Sequence, residues 1–165
     1  DQKIPFLRVT TLNDNWMVSK DGKPTDIALV DFIVTHSVSK LALFVESRIN
    51  LAALVKILND NHLNENIIIM ANEQKIIIEL KKMSPRWLYI ANPSQKMRLK
   101  VLDSVLLTSL ADYDFDFYVF NPQEELQLSQ SLKDELMKRH KKILVEATTN
   151  QSIVSSQYNG YIFLN

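Results

Sequence analysis

Short apolar runs alternate along the chain with longer segments in which apolar residues recur at helical spacing. The apolar runs are rich in β-branched and aromatic residues and predict six strands, at residues 41–46, 66–71, 86–91, 116–120, 142–147 and 161–164. Their hydrophobicity is nearly continuous, which is typical of strands covered on both faces. The pattern therefore predicts a parallel sheet.

The segments between these runs predict helices with recognisable ends. Asn50 and Asn72 are candidate N-caps, and Pro93 and Pro122 stand where the first turn of a helix tolerates proline. The predicted helices cover residues 51–60, 73–83, 94–111 and 123–140, and residues 26–36 predict a further helix after strands at 6–10 and 16–18. A repeated β, loop, α order predicts an α/β fold. Periodicity alone leaves two architectures open, a TIM-barrel-like (βα) repeat and an open doubly wound sheet.

Composition narrows the classes of function. The chain has 165 residues, of which 46% are hydrophobic, and predicts a single domain over residues 1–165. Nineteen basic residues balance nineteen acidic ones, so no net field draws the chain to nucleic acid or to an anionic membrane. No apolar run approaches the ~20 residues that a membrane span needs. The chain begins at Asp1, which weakly permits a secreted or processed protein and leaves the localisation open.

Two residue types are rare enough to exclude some chemistry. The chain has no cysteine, which excludes disulfides, thiolate catalysis and cysteine-based zinc sites. Its two glycines, Gly22 and Gly160, cannot form a glycine-rich phosphate loop. Nucleotide cofactors are therefore not expected.

Active sites of βα folds lie at the carboxyl ends of the strands. The polar residues that follow the predicted strands are Glu46 with Arg48, Asn72, Asn92, Asn121, Glu146 with Thr148, and Asn165. A carboxylate at the end of a buried strand is costly unless it is paired or binds a metal, which singles out Glu46 and Glu146. A structural role is the alternative for both, with Glu46 paired to Arg48 or Arg8.

The histidines and one acidic cluster are weaker candidates for a functional site. His36, His62 and His140 stand near predicted helix ends, at the end of a barrel that serves stability. Asp112, Asp114 and Asp116 resemble an acidic metal loop, but the glycine and distal glutamate of a calcium loop are missing. We expect a solvated strand entrance there and no metal site.

The segment LALFVESR and the βα units after it resemble the middle of the glycerophosphodiester phosphodiesterase family, in which an E-x-K motif ends a strand. The tail KKILVEATTNQSIVSSQYNGYIFLN is similar to the last two strands of that family. The resemblance implies a TIM barrel that hydrolyses glycerol-phosphate diesters, with carboxylates that hold a divalent metal and two acid-base histidines. It places Glu46 at the metal-binding or catalytic glutamate and Arg48 where a lysine contacts phosphate.

The chain departs from the family pattern upstream of these residues. Phe6 and Arg8 stand at the two acidic positions of the family's second strand, and Lys20 with Asp21 stands near its H-D pair. The first family strand, with its H-R-G motif, is missing. The resemblance therefore implies an incomplete or irregular barrel that lacks the first βα unit and most catalytic groups.

Three functions remain open. The first is a non-catalytic binding or interaction module, a pseudoenzyme related to lipid metabolism. Its remnant pocket of Arg8, Lys20, Glu46, Arg48 and Glu146 would hold a phosphate- or polyol-containing small molecule without a cofactor, and its open barrel seam would bind a protein partner or a second copy. The second is a phosphodiester hydrolase that uses Mg or Ca at an altered site around Glu46. The third is an unrelated βα domain of the receiver-like or sugar-binding kind.

Overall fold

A computed structural model describes residues 4–146 and 161–162. The chain divides into two compact units, unit 1 (Asp1–Tyr89) and unit 2 (Ile90–Asn165). Both units are mixed α/β structures, so the predicted α/β class is confirmed. A single domain over residues 1–165 stays a prediction.

Unit 1 contains a six-stranded sheet with the order β3-β2-β1-β4-β5-β6. Its strands are β1 (Phe6–Leu12), β2 (Asn15–Lys20), β3 (Lys23–Ala28), β4 (Leu41–Val45), β5 (Ile67–Met70) and β6 (Leu88–Tyr89). Its helices are α1 (Leu29–Thr35), α2 (Leu51–Asp60) and α3 (Gln74–Met83). Strands β1, β4, β5 and β6 are parallel, as predicted, whereas β2 and β3 are antiparallel additions.

Two tight hairpins build the antiparallel part of the sheet. Asn13 and Asp14 connect β1 to β2, and Asp21 and Gly22 connect β2 to β3, all with positive φ. Positive φ at both central residues is the backbone that a two-residue hairpin requires, and Asp-Gly is among its preferred sequences. The predicted helix at residues 26–36 is wrong over its first turn, which belongs to β3. This edge strand is largely exposed, so it carries no apolar alternation to reveal it.

Strand β4 lies in the middle of unit 1 and is buried over its whole length. Apolar side chains of the neighbouring strands and helices complete the core, among them Val9, Leu29, Leu54, Leu58, Ile67, Ile69, Ile77 and Leu80. A strand that is buried on both faces has the continuous hydrophobicity that the sequence showed. The core thereby fixes the position at which β4 ends, directly before Glu46.

Unit 2 contains a parallel three-stranded sheet with the order β7-β8-β9. Its strands are β7 (Phe117–Phe120), β8 (Lys142–Glu146) and β9 (Tyr161–Ile162), and its helices are α4 (Pro93–Ser104), α5 (Pro122–Leu126) and α6 (Gln130–Lys138). A short 3₁₀ turn spans Thr108–Leu110. The predicted helix at 94–111 ends early, at Ser104, and the one at 123–140 is divided.

Ser129 explains the division between α5 and α6. Its side chain accepts a hydrogen bond from Leu132 N at 3.1 Å, and its backbone N–H donates to Asp103 Oδ2 at 2.9 Å. A serine cap begins a new helix instead of continuing the old one. Amphipathic spacing runs through both helices, so the pattern alone could not show the break.

The asparagine side chains that cap helices differ from the two predicted N-caps, Asn50 and Asn72. The side chains of Asn92 and Asn121 cap α4 and α5. Asn72 was predicted wrongly, because Glu73 is the N-cap of α3, and Asn50 precedes α2 without a side-chain cap hydrogen bond.

Helices α1, α2, α4 and α6 end in the same way. The residue after each C-cap has positive φ: Ser37, His62, Leu106 and His140. Backbone hydrogen bonds such as Leu107 N to Leu102 O at 2.8 Å complete Schellman motifs, in which glycine usually takes this position. A chain with two glycines fills these positions with other residues, which accounts for His62 and His140 at helix ends.

Candidate functional site

The carboxyl end of β4 gathers polar side chains on one face of the sheet in unit 1. Arg8 on β1 is the register partner of both Ser19 on β2 and Phe44 on β4. Glu46 follows Phe44 by two residues, and its backbone N–H donates to Val9 O at 2.9 Å, which continues the strand pairing. Side chains two residues apart on a strand share a face, so these four converge. We call Arg8, Ser19, Phe44 and Glu46 the Glu46 cluster.

The carboxylate of Glu46 is held by two donors. Arg8 Nη1 lies 3.3 Å from Glu46 Oε1, and Ser19 Oγ donates to Glu46 Oε2 at 2.6 Å. The Arg8 guanidinium also lies over the Phe44 ring, 4.8 Å from its centroid. The Glu46 side chain is 16% exposed, and that of Arg8 is 46% exposed. The charge of Glu46 is therefore balanced within unit 1, while part of the Arg8 guanidinium faces solvent.

The loop after Glu46 is fastened to the β1–β2 hairpin. Ser47 Oγ and Thr11 Oγ1 are 2.8 Å apart, and the indole N–H of buried Trp16 donates to Asn50 O at 3.1 Å. Hydrogen bonds between a strand and the loop beside it restrict the loop's conformation. These contacts hold the loop after Glu46 in place beside the cluster.

Arg48 is not part of the cluster. Its Nε donates to Glu79 Oε1 on α3 at 2.9 Å, and its Nη2 donates to the same oxygen. The hydrogen bond from Arg48 lowers the pKa of Glu79, and the bond to Glu79 raises the pKa of Arg48. This ion pair is exposed at the surface. Arg48 pairs with Glu79 and not with Glu46, so its predicted contact with phosphate stays a prediction.

Lys20 and Glu146 also lie apart from the cluster. Lys20 is exposed at the last position of β2, and neighbouring residues of a strand face opposite sides, so it points away from the face of Ser19. Glu146 is the last residue of β8 in unit 2, half-buried, and pairs in register with Ile162. Among the described residues, Arg8 and Glu46 are the two predicted site residues that the structure brings into contact.

Ser19 and Phe44 were missed in the sequence. Ser19 is buried against Glu46, yet a single serine in the run NWMVSK carries no signal. The hairpin at Asn13 and Asp14 sets the register that pairs Ser19 with Arg8. That register becomes readable only when the turn is recognised as a two-residue type.

Two of the remaining strand-end polar residues, Asn92 and Asn121, have structural roles. Asn92 is fully buried and accepts a hydrogen bond from Gln95 N at 2.9 Å, and Asn121 and Glu124 form a capping box. Glu124 in turn lies 3.1 Å from Lys96 Nζ and 3.2 Å from Lys100 Nζ. Thr148 and Asn165 lie outside the described residues.

The described residues do not fit a divalent metal. Within residues 4–146 and 161–162, no group of three or more His, Asp or Glu side chains could hold one. The Glu46 cluster has a single carboxylate. The Arg8 guanidinium already neutralises its negative charge, which a bound cation would need. The same ranges contain no helix that is long and apolar enough to cross a membrane.

Two surface pockets of unit 1 lie at the amino ends of its strands. One of about 310 Å³ is lined by residues before β6, including Ser84 and Trp87. The other, of about 230 Å³, is lined by residues before β1 and β4, including Pro5 and Lys40. Neither includes a residue of the Glu46 cluster.

Comparisons with known proteins bear on the fold. No family model matches the chain, and no curated protein matches it by sequence. A solved structure that resembles it is the glycerophosphodiester phosphodiesterase from Agrobacterium tumefaciens, with a TM-score of 0.61 over 88% of this chain and 73% of that chain. The sequence identity is 9%, so the likeness concerns the fold. The chain therefore has a glycerophosphodiester phosphodiesterase-like fold, as the sequence resemblance implied.

Proposed function

We propose that the chain is a degenerate glycerophosphodiester phosphodiesterase-like domain that binds a ligand without hydrolysing it. The observation that carries the proposal is the ion pair between Arg8 and Glu46. By the family resemblance, Arg8 stands at an acidic position and Glu46 at the metal-binding or catalytic glutamate. A guanidinium that neutralises Glu46 takes the place of a cation there.

Loss of the metal would remove the largest source of charge stabilisation for phosphodiester cleavage. A metal polarises the phosphoryl oxygen and lowers the pKa of bound water, and Arg8 supplies no such water. Acid-base catalysis by histidine contributes a further ~10²–10⁴-fold, yet His36, His62 and His140 stand at the carboxyl ends of helices. We infer a non-catalytic module built as an incomplete or irregular barrel, with a single domain over residues 1–165.

The exposed part of Arg8 defines the ligand class. A guanidinium has five N–H donors in a planar fork, which matches phosphate geometry. Glu46 takes one of them at 3.3 Å, and about half of the side chain is exposed. A phosphate monoester of a polyol, such as glycerol phosphate, would pair with the free donors and offer hydroxyls to Glu46.

Two arginines give a matched test of this proposal. Arg8 and Arg48 are 46% and 48% exposed, and each is paired with one glutamate. We expect calorimetric titration with glycerol phosphate to show binding that Arg8→Ala reduces by about tenfold or more, equivalent to ~1.4 kcal/mol. Arg48→Ala should bind as the native chain does.

A parallel assay decides the catalytic question. Incubation of the native chain with a glycerophosphodiester in Mg or Ca should release no alcohol above the rate without protein. Metal-dependent release that Glu46→Gln abolishes would contradict the proposal and support a hydrolase with an altered site. Equal loss of binding in Arg8→Ala and Arg48→Ala would move the ligand away from the Glu46 cluster.

A further inference from the structure

The ion pair between Arg8 and Glu46 joins a single N–H donor to a single oxygen. Arg8 Nη1 donates to Glu46 Oε1 at 3.3 Å, and this is the side-chain hydrogen bond that Arg8 makes with the described residues. Pairs of arginine with a carboxylate are frequently bidentate, with two parallel N–H···O bonds. The pair in the Glu46 cluster therefore leaves more of the guanidinium donors available than such pairs usually do.

The second oxygen of Glu46 is held from another strand. Ser19 Oγ on β2 donates to Glu46 Oε2 at 2.6 Å. Ser19 is 7% exposed and is the register partner of Arg8, so the hydroxyl lies within the sheet beside the ion pair. A serine hydroxyl has one O–H, and Ser19 directs it at Oε2. This oxygen is thereby turned toward β2 and makes no hydrogen bond with Arg8.

The ion pair between Arg48 and Glu79 has no such hydroxyl. Arg48 donates to Glu79 Oε1 from both Nε and Nη2. Among the described residues, no serine or threonine hydroxyl bonds to the Glu79 carboxylate. The side chains of Arg8 and Arg48 are 46% and 48% exposed, so access to solvent does not account for the difference. A serine bound to the carboxylate is a feature that separates the two pairs.

Phe44 covers one face of the Arg8 guanidinium. The guanidinium carbon lies 4.8 Å from the centroid of the Phe44 ring, and Phe44 is 7% exposed, so the ring is fixed in the sheet. With one face on the ring and one N–H on Glu46, the remaining donors lie along the open edge of the guanidinium. A phosphate group can accept two parallel N–H bonds at such an edge.

We propose that Ser19 is a positioning residue for ligand binding at the Glu46 cluster. By holding Glu46 Oε2, Ser19 limits the ion pair to one hydrogen bond and keeps the other Arg8 donors for the phosphate group of a polyol phosphate. Its own O–H is already donated to Glu46, so Ser19 acts through Glu46 and Arg8. The inference rests on the proposed function, since it concerns the same ligand and the same arginine.

Removal of the hydroxyl should tighten the ion pair and weaken ligand binding. In Ser19→Ala both oxygens of Glu46 are able to turn to Arg8, and a bidentate pair competes with the phosphate for the same donors. We expect calorimetric titration with glycerol phosphate to show an affinity about threefold to tenfold lower than that of the native chain. Ser19→Thr keeps the hydroxyl and suits a strand, so it should bind as the native chain does.

NMR of the ligand-free chain measures the geometry of the ion pair directly. A guanidinium in a bidentate pair turns more slowly about its Nε–Cζ bond, because two hydrogen bonds must break together. We expect slower rotation of Arg8 in Ser19→Ala than in the native chain or in Ser19→Thr. The Arg8 signal is identified by its loss in Arg8→Ala. Simple loss of a structural hydrogen bond would loosen Glu46 and leave the rotation of Arg8 equal or faster.

Ser129 in unit 2 provides the matched control. Its hydroxyl also donates to a carboxylate, that of Asp103, and it caps α6. Ser129→Ala removes an equivalent bond and lowers stability, because a helix loses its cap. We expect this variant to keep the native affinity and the native rotation rate of Arg8. Thermal unfolding verifies that every variant folds.

The outcomes separate the role of Ser19 from the proposed function. Equal affinities and equal rotation rates in the native chain and Ser19→Ala would overturn the role of Ser19 and leave the proposed function intact. Weaker binding with faster rotation would also overturn it, since a loosened Glu46 would be the cause. A native chain that does not bind glycerol phosphate would contradict the proposed function, and the role of Ser19 in binding with it. Slower rotation in Ser19→Ala would then assign that failure to the ligand and not to the geometry of the ion pair.

Discussion

The Glu46 cluster and Leu106 at the end of α4 both place a residue where it is costly, but they differ in how the cost is met. Glu46 is a largely buried carboxylate whose two oxygens accept from Arg8 and Ser19. Leu106 takes a positive-φ backbone that Schellman hydrogen bonds stabilise, and its side chain is 80% exposed. The cost of Glu46 is offset by side-chain contacts inside unit 1, whereas that of Leu106 is met by backbone hydrogen bonds and little side-chain burial.

This difference separates two kinds of inference about function. Compensation within the fold explains why Glu46 is tolerated, so its presence alone is weak evidence for chemistry. Backbone strain at an exposed leucine is a cost in stability that a single substitution can measure directly. The evidence for ligand binding at Glu46 therefore rests on the exposed donors of Arg8.

The largest effect is expected from reversing the charge of Arg8. Arg8→Glu brings a second carboxylate to Glu46, and we expect the free energy of unfolding to fall by about 2 kcal/mol. This loss of stability is smaller than for a fully buried pair, because the Arg8 side chain is about half exposed. Calcium should restore part of the loss, because two carboxylates and the Ser19 hydroxyl then offer oxygen ligands.

Urea unfolding with and without calcium measures both effects. Arg48→Glu is the matched control, since it also turns a paired, half-exposed arginine into a glutamate beside a carboxylate. We expect no calcium dependence for Arg48→Glu or for the native chain. Calcium stabilisation of the native chain would show that Glu46 already binds a cation with Arg8 present.

Much of the fold could be predicted from the sequence because buried parallel strands have a strong pattern. The run at residues 41–46 became β4, and residues 117–120 and 142–146 became β7 and β8, within the predicted ranges. Strand β3 could not be predicted, because an exposed edge strand shows no alternation. The division between α5 and α6 depends on one serine cap inside a continuous amphipathic pattern.

The candidate site was less predictable than the fold. Glu46 and Arg8 could be named because one ends a buried strand and both match family positions. Arg48, two residues after Glu46, could not be separated from the site, since the direction of its side chain depends on Glu79 of α3. The position of Ser19 beside Glu46 depends on the register of the hairpin formed by β1 and β2. The exposure of Leu106 depends on where α4 ends. These features arise from tertiary structure.

A smaller effect, of opposite sign, is expected at Leu106. Asparagine tolerates positive φ, so Leu106→Asn should raise the free energy of unfolding of the monomer by about 0.5–1 kcal/mol. Urea unfolding of the native chain and the variant measures the effect.

His62 provides the control for this substitution. It takes the same Schellman position after α2, with φ 61°, but histidine already occurs in this backbone more readily than leucine does. We expect His62→Asn not to change the free energy of unfolding noticeably. A Leu106→Asn variant that is less stable than the native monomer would contradict the assignment of strain to Leu106.

The smallest effect is expected at Arg48, which sharpens the contrast with Arg8. The hydrogen bond from Arg48 lowers the pKa of Glu79 from its ordinary value of 4.5. A carboxyl with a lowered pKa in the folded state stabilises the protein above its unfolded pKa, and that contribution is lost as the pH falls through the folded pKa.

Arg48→Ala should therefore leave the urea midpoint almost unchanged at neutral pH, because exposed ion pairs contribute little. The remaining difference from the native chain should shrink as the pH falls below 4.5 and vanish below the lowered pKa of Glu79, and NMR titration should show that pKa rising in the variant. A large drop in the midpoint at neutral pH would mean that Arg48 does more than bind Glu79, and it would remove Arg48 as a control for Arg8.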